Sequence, residues 1–265
     1  MNQDITSRQN KNIKLVRSLR LRKERKSTGL FLVEGIWHIG EAVAAEAPIE
    51  FLLVCPPLLK DDYSQTLLQK AGSKGIPIFT TSTEIFASLA EKENPAGMIG
   101  VLRQTPATLA DLSPQNFHWG AAVVAPQDPG NLGAILRTVN AAGASGLIVL
   151  NQGVDIYHPT AVRASMGAIF WHPVVNTTFQ HFHSWVQQNG YSLYGTSAKG
   201  EKFYNQITYQ FPAILLMGSE REGLSADQAE ACDELVKLPM HGNVSSLNLS
   251  VAAGIMLYHL SASRN

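Results

Sequence analysis

Residues 121–138 read Ala121-Ala-Val-Val-Ala125-Pro-Gln-Asp-Pro-Gly130-Asn131-Leu-Gly133-Ala-Ile-Leu-Arg137-Thr138, and the fold class follows from this stretch. The run 121–125 has no polar alternation, so it predicts a strand buried on both faces rather than on one. Pro126, Pro129 and Gly130 then break it, and the apolar spacing over 131–142 predicts a helix. Asn131 is placed to cap that helix, and Gly133 permits close backbone approach. Arg137 follows six residues later, less than two helical turns on, and could reach toward the same edge of the sheet. Taken alone, the segment reads more readily as an ordinary capped helix with a surface arginine.

The same unit recurs downstream. Apolar runs at 146–150, 191–194, 213–217 and 234–238 alternate with helical stretches at 179–189, 225–231 and 246–261. Continuous strands alternating with helices predict an α/β domain with a doubly wound parallel sheet, in which ligands sit beyond the carboxyl ends of the strands. Two more loops stand at such ends. Leu216-Met-Gly218-Ser-Glu220-Arg-Glu-Gly223-Leu-Ser225 follows one strand: Gly218 admits close approach of a planar ligand, and Glu220 can accept hydrogen bonds from a ligand or a neighbouring loop. Leu238-Pro-Met240-His-Gly-Asn-Val-Ser-Ser246-Leu247-Asn248-Leu follows the last strand. A serine there as a simple helix cap leaves the amide of Asn248 unexplained, and a buried amide needs partners.

Upstream, residues 8–26 lack Pro and Gly and carry Ile13, Val16, Leu19 and Leu21 among basic residues, which predicts one helix with a narrow apolar stripe. Strands at 30–33, 51–54, 76–79 and 98–102 and helices at 35–47, 61–71 and 83–90 form a small α/β domain. The expected division is 1–104, a Pro-containing linker 105–118, and 119–265.

Nine of the 21 Lys and Arg, but only two of the 21 Asp and Glu, fall within the first 30 residues, so a basic arm precedes an acidic body, with net charge zero for the whole chain. That asymmetry points to a polyanion such as RNA or DNA, or else to a solvated terminal helix. No apolar run reaches the roughly 18 residues of a membrane span, and no apolar stretch follows the basic residues near the start, so a secretory signal is not expected there. Cys55 and Cys232 lack paired spacing and read as buried thiols of a reducing cytosol. The eight histidines show no ligating pattern, so no metal is expected. Neither a P-loop nor a GxGxxG is present, which disfavours a nucleotide-phosphate or dinucleotide site.

Taken in order, Asn131-x-Gly-Ala-x-x-Arg137-Thr, Gly218-Ser-Glu220-x-x-Gly223-Leu and Pro239-Met-x-Gly-x-x-Ser-Ser246-Leu-Asn248 resemble the three motifs of the SpoU/TrmH family, in the SPOUT superfamily. Arg163-Ala-Ser-Met-Gly-Ala168 and the opening Ile5-Thr-Ser, Asn10, Lys14 and Phe31-Leu-Val-Glu34-Gly35 are family-like too. The resemblance implies a deep trefoil knot in the C-terminal domain, a ribosomal-protein-like RNA-binding domain before it, a homodimer and a cytoplasmic location. It implies S-adenosylmethionine (SAM) as cofactor, held by Gly218, Leu238 and Leu247 with Thr196, Gly195 and Met240 beside them. The implied reaction is methyl transfer to a ribose 2′-hydroxyl of RNA, ribosomal RNA before tRNA. Arg137 would act on the hydroxyl or the adjacent phosphate, Asn131 and Ser246 would orient, Asn248 would hold the loops and Glu220 would anchor the catalytic arginine or a loop. Arg8, Lys11, Lys14, Arg17, Arg22 and Lys23 would grip RNA. The rival expectation is a non-catalytic RNA-binding or ribosome-assembly protein that keeps the fold.

Overall fold

A computed structural model describes residues 3–89 and 96–264. In chain order its first elements are β1 (Gln3–Ile5), α1 (Lys11–Ser18), α2 (Arg22–Thr28), β2 (Leu30–Glu34), α3 (Ile36–Ala44), β3 (Ile49–Val54), α4 (Asp62–Ser73), β4 (Ile78–Thr81), α5 (Thr83–Ala87) and β5 (Met98–Arg103). Then come β6 (Trp119–Val124), α6 (Pro129–Ala141), β7 (Leu147–Leu150), α7 (Pro159–Ala164), β8 (Val174–Thr177), α8 (Phe179–Asn189) and β9 (Ser192–Thr196). The chain ends with β10 (Lys202–Phe203), β11 (Ala213–Met217), α9 (Ala226–Glu230), β12 (Glu234–Lys237) and α10 (Leu249–Ala262). Two compact units result: residues 1–105 with 157–170, and residues 106–156 with 171–265.

The first unit is built on a five-stranded sheet in the order β1-β4-β3-β5-β2, with β5 antiparallel to both neighbours and the other pairs parallel. Strand periodicity sends Leu32, Phe51, Leu53, Ile99 and Val101 to one face, where Ile13, Val16 and Leu19 of the N-terminal segment and Phe86 of α5 cover them. The opposite set, Phe31, Val33, Leu52, Val54, Met98 and Leu102, meets Ile39 and Val43 of α3, Leu67 of α4 and Val162 of α7. Both faces are therefore dry, which explains why these strands read as unbroken apolar runs.

The expected single helix over 8–26 is two helices. Asn10 caps α1 by accepting from Asn12 N at 2.8 Å, and the chain extends at Leu21 before α2 begins. The cause is Arg25, only 1% exposed, whose guanidinium donates to the carbonyls of Leu19 (3.0 Å) and Arg20 (2.8 Å). A buried guanidinium must find acceptors, and the carbonyls freed at the end of α1 supply them. The expected helix 83–90 ends at Ala87, and residue 90 lies outside the described residues.

The domain boundaries differ from the expected ones at two places. Residues 157–170 pack in the first unit: Val162 enters its core, Tyr157 lies 4.7 Å from Phe31 ring to ring, and His38 Nε2 donates to the Arg163 carbonyl at 3.1 Å. The stretch 105–118 is not a free linker. Leu112 and Phe117 are buried in the second unit's core, and Ala107 bridges to Val175.

The second unit carries a seven-stranded, all-parallel sheet in the order β10-β12-β9-β11-β6-β7-β8. On one face Ala122, Ile148, Val175, Leu193, Ile214 and Leu216 pack with Phe182, Trp185 and Val186 of α8. Alternation puts Ala121, Val123, Leu215 and Met217 on the other face, and α10 packs against β11 there. The helices α6 and α10 lie side by side and run parallel, since Asn248 meets Asn131 at their starts and Ser261 Oγ donates to Ala142 O (2.9 Å) at their ends. Among the described residues no helix is long and apolar enough to cross a membrane.

Candidate active site

Parallel strands open all their carboxyl ends on one edge, and four neighbours, β12, β9, β11 and β6, bring the three sequence loops together there. Register places Met217 opposite Thr196 and Val123, and Val236 opposite Thr196. Gly218 and Leu238 therefore follow adjacent strand ends, with Thr196 between them.

The helix α6 begins differently from the sequence expectation. Its cap is Asp128, whose carboxylate accepts from Asn131 N at 2.7 Å, with Pro129 in the first turn. Asn131 is thereby released from capping, and its side chain faces α10. Asn131 Oδ1 accepts from Asn248 Nδ2 at 3.0 Å; Ser250 Oγ lies 3.4 Å from it and makes its shorter bond, 2.7 Å, to Asn248 Oδ1. Asn248 in turn caps α10, accepting from Ser250 N at 2.9 Å and Val251 N at 3.4 Å. The helix thus starts at Leu249 rather than near 246, and Asn248 is exposed rather than buried. Its amide has partners all the same: one side chain closes a helix and ties two motifs 117 residues apart.

Glu220 ties a third motif to the same place. Its carboxylate accepts from Gln127 N (3.1 and 3.3 Å) and Asp128 N (3.4 Å), which fixes the loop that precedes α6. The turn that carries Glu220 closes on itself through two Ser219–Gly223 backbone bonds of 3.1 Å. Gly218 is required by that closure: a Cβ there would lie 2.3 Å from the Gly223 carbonyl carbon. Gly195 is likewise fixed by packing, since its Cβ would meet Cys232 Sγ at 2.6 Å. Both glycines let the protein approach itself closely, and at Gly218 the sequence suggested approach by a ligand. Burial, and then the charge of Asp233, pushes the Cys232 thiol up to about 12, so it stays protonated near neutral pH; Cys55 is fully buried.

Arg137 stands apart from this cluster. It is exposed and has no hydrogen-bond or ion-pair partner among the described residues. Six residues at about 100° each place it roughly 120° around α6 from Asn131. Ser246 is exposed and also unpartnered among the described residues. From Leu238 to Leu247 the chain is irregular, and none of its backbone groups is paired within the described protein. Met240 (36% exposed) and Leu247 (37%) stand at its surface. Ser250, Asp128 and Gln127 escaped the sequence reading. The cap-forming Asp-Pro pair at 128–129 and the Asn-x-Ser spacing at 248–250 were the available signals. Among the described residues no group of three or more His, Cys, Asp or Glu could hold a metal ion.

In the first unit, Lys11, Lys14 and Arg17 project from α1, and Arg22 and Lys23 from α2, all exposed and without partners among the described residues. Arg8 is instead paired with Glu84 at 2.6 Å.

The SpoU rRNA Methylase family model matches residues 121–258, and the MRM3-like substrate binding domain model matches residues 10–100. The chain is 29% identical to the 23S rRNA (guanosine(2553)-2′-O)-methyltransferase RlmP of Bacillus subtilis, over 97% of this chain and 98% of that one. It is 31% identical to the 23S rRNA (uridine(2479)-2′-O)-methyltransferase of Streptomyces viridochromogenes, over 89% and 84%. The crystal structure of an AdoMet-bound rRNA methyltransferase from Sinorhizobium meliloti superposes with a TM-score of 0.89 at 30% identity, covering 99% of this chain and 98% of that one. A family model that spans the motif-bearing half of the chain, and near-full-length relatives on the same fold, make this chain a member of the SpoU rRNA methylase family.

Proposed function

We propose that this chain is a SAM-dependent methyltransferase that modifies a ribose 2′-hydroxyl of ribosomal RNA, with large-subunit RNA as the favoured substrate. The observation that carries the reading is the convergence of three motifs at one sheet edge through Asn131, Asn248, Ser250 and Glu220. The relatives' names, two of them 23S rRNA 2′-O-methyltransferases, support the substrate. No observation favours the rival of a non-catalytic RNA-binding protein.

The residues present fit SAM. The backbone groups of 240–247, unpaired among the described residues, are donors and acceptors suited to the edges of an adenine, and the partly exposed Leu247 and Met240 offer apolar contact. Leu238, Gly218 and Thr196 at adjacent strand ends would flank it, with Gly195 behind Thr196. When bound, SAM supplies a methyl group on an electrophilic sulfonium, so alignment of the attacking hydroxyl sets much of the rate.

The chain's own residues then divide the work. Glu220 holds the 125–128 loop against the Gly218 turn, and Asn248 with Ser250 fixes Asn131. Asn131 and Ser246 orient the ribose. Arg137 cannot serve as a base while its guanidinium stays protonated, as it does in nearly every protein setting. It stabilises developing alkoxide charge and grips the neighbouring phosphate. Lys11, Lys14, Arg17, Arg22 and Lys23 bind RNA phosphates; Arg8 contributes less, because Glu84 already neutralises it.

A second copy of the chain belongs to the proposal. The buried side of α10 is Ala253, Met256, Leu257 and Leu260, yet Val251 (50% exposed), Ile255 (38%) and Tyr258 (57%) leave its other side apolar too. A helix apolar all round is a buried helix, which suits a homodimer interface. The deep knot is part of the same reading. It draws support from the strand order, in which the last strand, β12, lies between β9 and β10. A cytoplasmic location and the absence of a metal complete it.

The test is transfer of labelled methyl from SAM to total bacterial RNA, with modified sites mapped by resistance to alkaline cleavage. Arg137→Ala is expected to abolish transfer and retain the SAM-induced rise in melting temperature. Absence of both transfer and SAM stabilisation in the unaltered protein discards the proposal.

A further inference from the structure

The segment Arg163-Ala-Ser-Met166-Gly-Ala168 takes no part in the cluster at the sheet edge and lies in the first unit. There Arg163 and Met166 wall a cavity of about 470 Å3 together with Arg20, Glu34, Trp37 and Tyr63. That volume lies in the range of small-ligand sites, about 300–1,000 Å3. Its most exposed aromatic is Trp37, 67% open to solvent and stacked on Tyr63 with ring centroids 4.8 Å apart at 25°. Tyr63 is held from behind: its hydroxyl sits against Gly40, where a Cβ would come within 2.2 Å. The pair is therefore a preset aromatic plate, and leaving an indole face in water is unfavourable unless something covers it.

The far wall is also fixed. Met166 has φ +50, a left-handed conformation uncommon outside glycine, and is about half exposed. Gly167 beside it packs so tightly on Glu41 that a Cβ would lie 2.5 Å from Glu41 Cγ. The Arg163 carbonyl is held by His38. Arg20 connects this cavity to the basic surface. It sits at the end of α1, and its guanidinium donates to the Leu89 carbonyl. Lys11, Lys14 and Arg17 are exposed on α1, which precedes it.

We propose that this cavity receives one unstacked base of the RNA, laid on Trp37, while the ridge from Lys11 to Arg17 holds the adjoining phosphates. The inference rests on the RNA reading above and adds to it a binding site for an unpaired nucleotide. An exposed aromatic plate next to cations matches how single-stranded RNA is bound, by stacking combined with phosphate contacts.

The probe is a short fluorescein-labelled single-stranded RNA, compared with the same sequence as a duplex, titrated into the full chain without SAM. Trp37→Ala is expected to raise the single-strand Kd roughly five- to a hundredfold, as removal of one stacked base does, and to leave duplex binding unchanged. Trp37→Phe recovers most of that loss. In the methyl-transfer assay the same alanine variant raises KM for RNA more than it lowers kcat. Quenching of indole emission by the single strand, present in the unaltered chain and reduced in Trp37→Phe, reads the stacking directly. An unchanged single-strand Kd in Trp37→Ala overturns the proposal. So does an equal loss on duplex, or a loss confined to ribosomal particles and absent on naked RNA, which would mark a protein partner. Because binding is read without SAM, a chain that failed to transfer methyl would leave this result standing.

Discussion

Asn248 performs two tasks that substitution can separate. Its carbonyl oxygen caps α10 through Ser250 N and Val251 N, and its amide donates to Asn131 Oδ1. Losing a helix cap costs about 1 kcal/mol, within a range of roughly 0.5–2. The bond to Asn131 is 3.0 Å long but exposed, so its net worth is near the low end, about 0.5 kcal/mol. Asn248→Ala removes both, about 1.5 kcal/mol together, and lowers the melting temperature by roughly 3–6 °C in a protein of this size. Asn248→Ser keeps an acceptor for the cap and loses only the tie, at a cost of about 0.5 kcal/mol and roughly 1–2 °C. Methyl transfer should follow the tie and not the cap, so both variants lose activity to the same extent despite unequal stability. Melting followed by circular dichroism, and labelled methyl transfer measured well below the transition, check the two halves separately. In an Asn131→Ala background, Asn248→Ser should add no further loss of activity, since the two residues act through one hydrogen bond. Wild-type turnover by Asn248→Ser would show that the link between the first and third motifs is dispensable, and equal destabilisation by Ser and Ala would show that the cap contributes nothing.

Gly218→Ala drives a Cβ into the Gly223 backbone, which cannot swing aside as a side chain could. The Glu220 turn must shift, with a cost of roughly 1–3 kcal/mol by denaturant unfolding and a loss of SAM-induced stabilisation. Replacing Lys11, Lys14 and Arg17 together with Glu should weaken RNA binding and flatten its dependence on log salt by about 0.7–0.9 for each phosphate no longer neutralised; Kd measured over a salt series decides it. His172, half-buried and held to the Ser145 carbonyl, has its pKa lowered from 6.5 chiefly by burial. The unfolded chain therefore takes up that proton first as pH falls, so the stabilisation is complete above 6.5 and is lost progressively below it. Unfolding at about pH 7 and pH 5 should show this loss, and His172→Gln should reduce it.

Much of the second unit was legible because its signals are local. Unbroken runs such as 213–217 mark strands covered on both faces, and the helix expected over 179–189 spans Phe179–Asn189. The readings that differ from the structure mostly turn on partners distant in sequence or on a side chain's burial. Nothing within 8–26 marks a break, which arises only because the Arg25 guanidinium is buried and takes the carbonyls of Leu19 and Arg20. The three-residue β1 owes its existence to pairing with β4, more than 70 residues away. At Asn131 the sequence did carry the answer: Asp128 followed by Pro129 is the better cap, because proline suits the first helical position and needs no hydrogen-bond partner there. For Asn248 the sequence could show that an amide needed partners but not which, since Asn131 lies 117 residues upstream.

One feature of the site is explained by neither local pattern nor distant packing within the chain. From Leu238 through Tyr258 the protein shows Met240, Val244, Leu247, Val251, Ile255 and Tyr258 to solvent, one continuous stretch that runs from the candidate cofactor loop into the outer face of α10. Full burial of such side chains contributes about 1.5–3 kcal/mol each, so several half-exposed ones amount to a considerable unrealised stabilisation. Among the described residues the loop preceding α10 also has no backbone hydrogen bonds to hold it. Asn248 stands at the junction, closing the helix on one side and joining Asn131 on the other. The outer face of α10, the loop proposed to hold SAM and the residue proposed to orient the ribose therefore adjoin at this one residue. The proposed homodimer and the proposed active site are on this account parts of a single assembly, with the apolar helix face as its shared element.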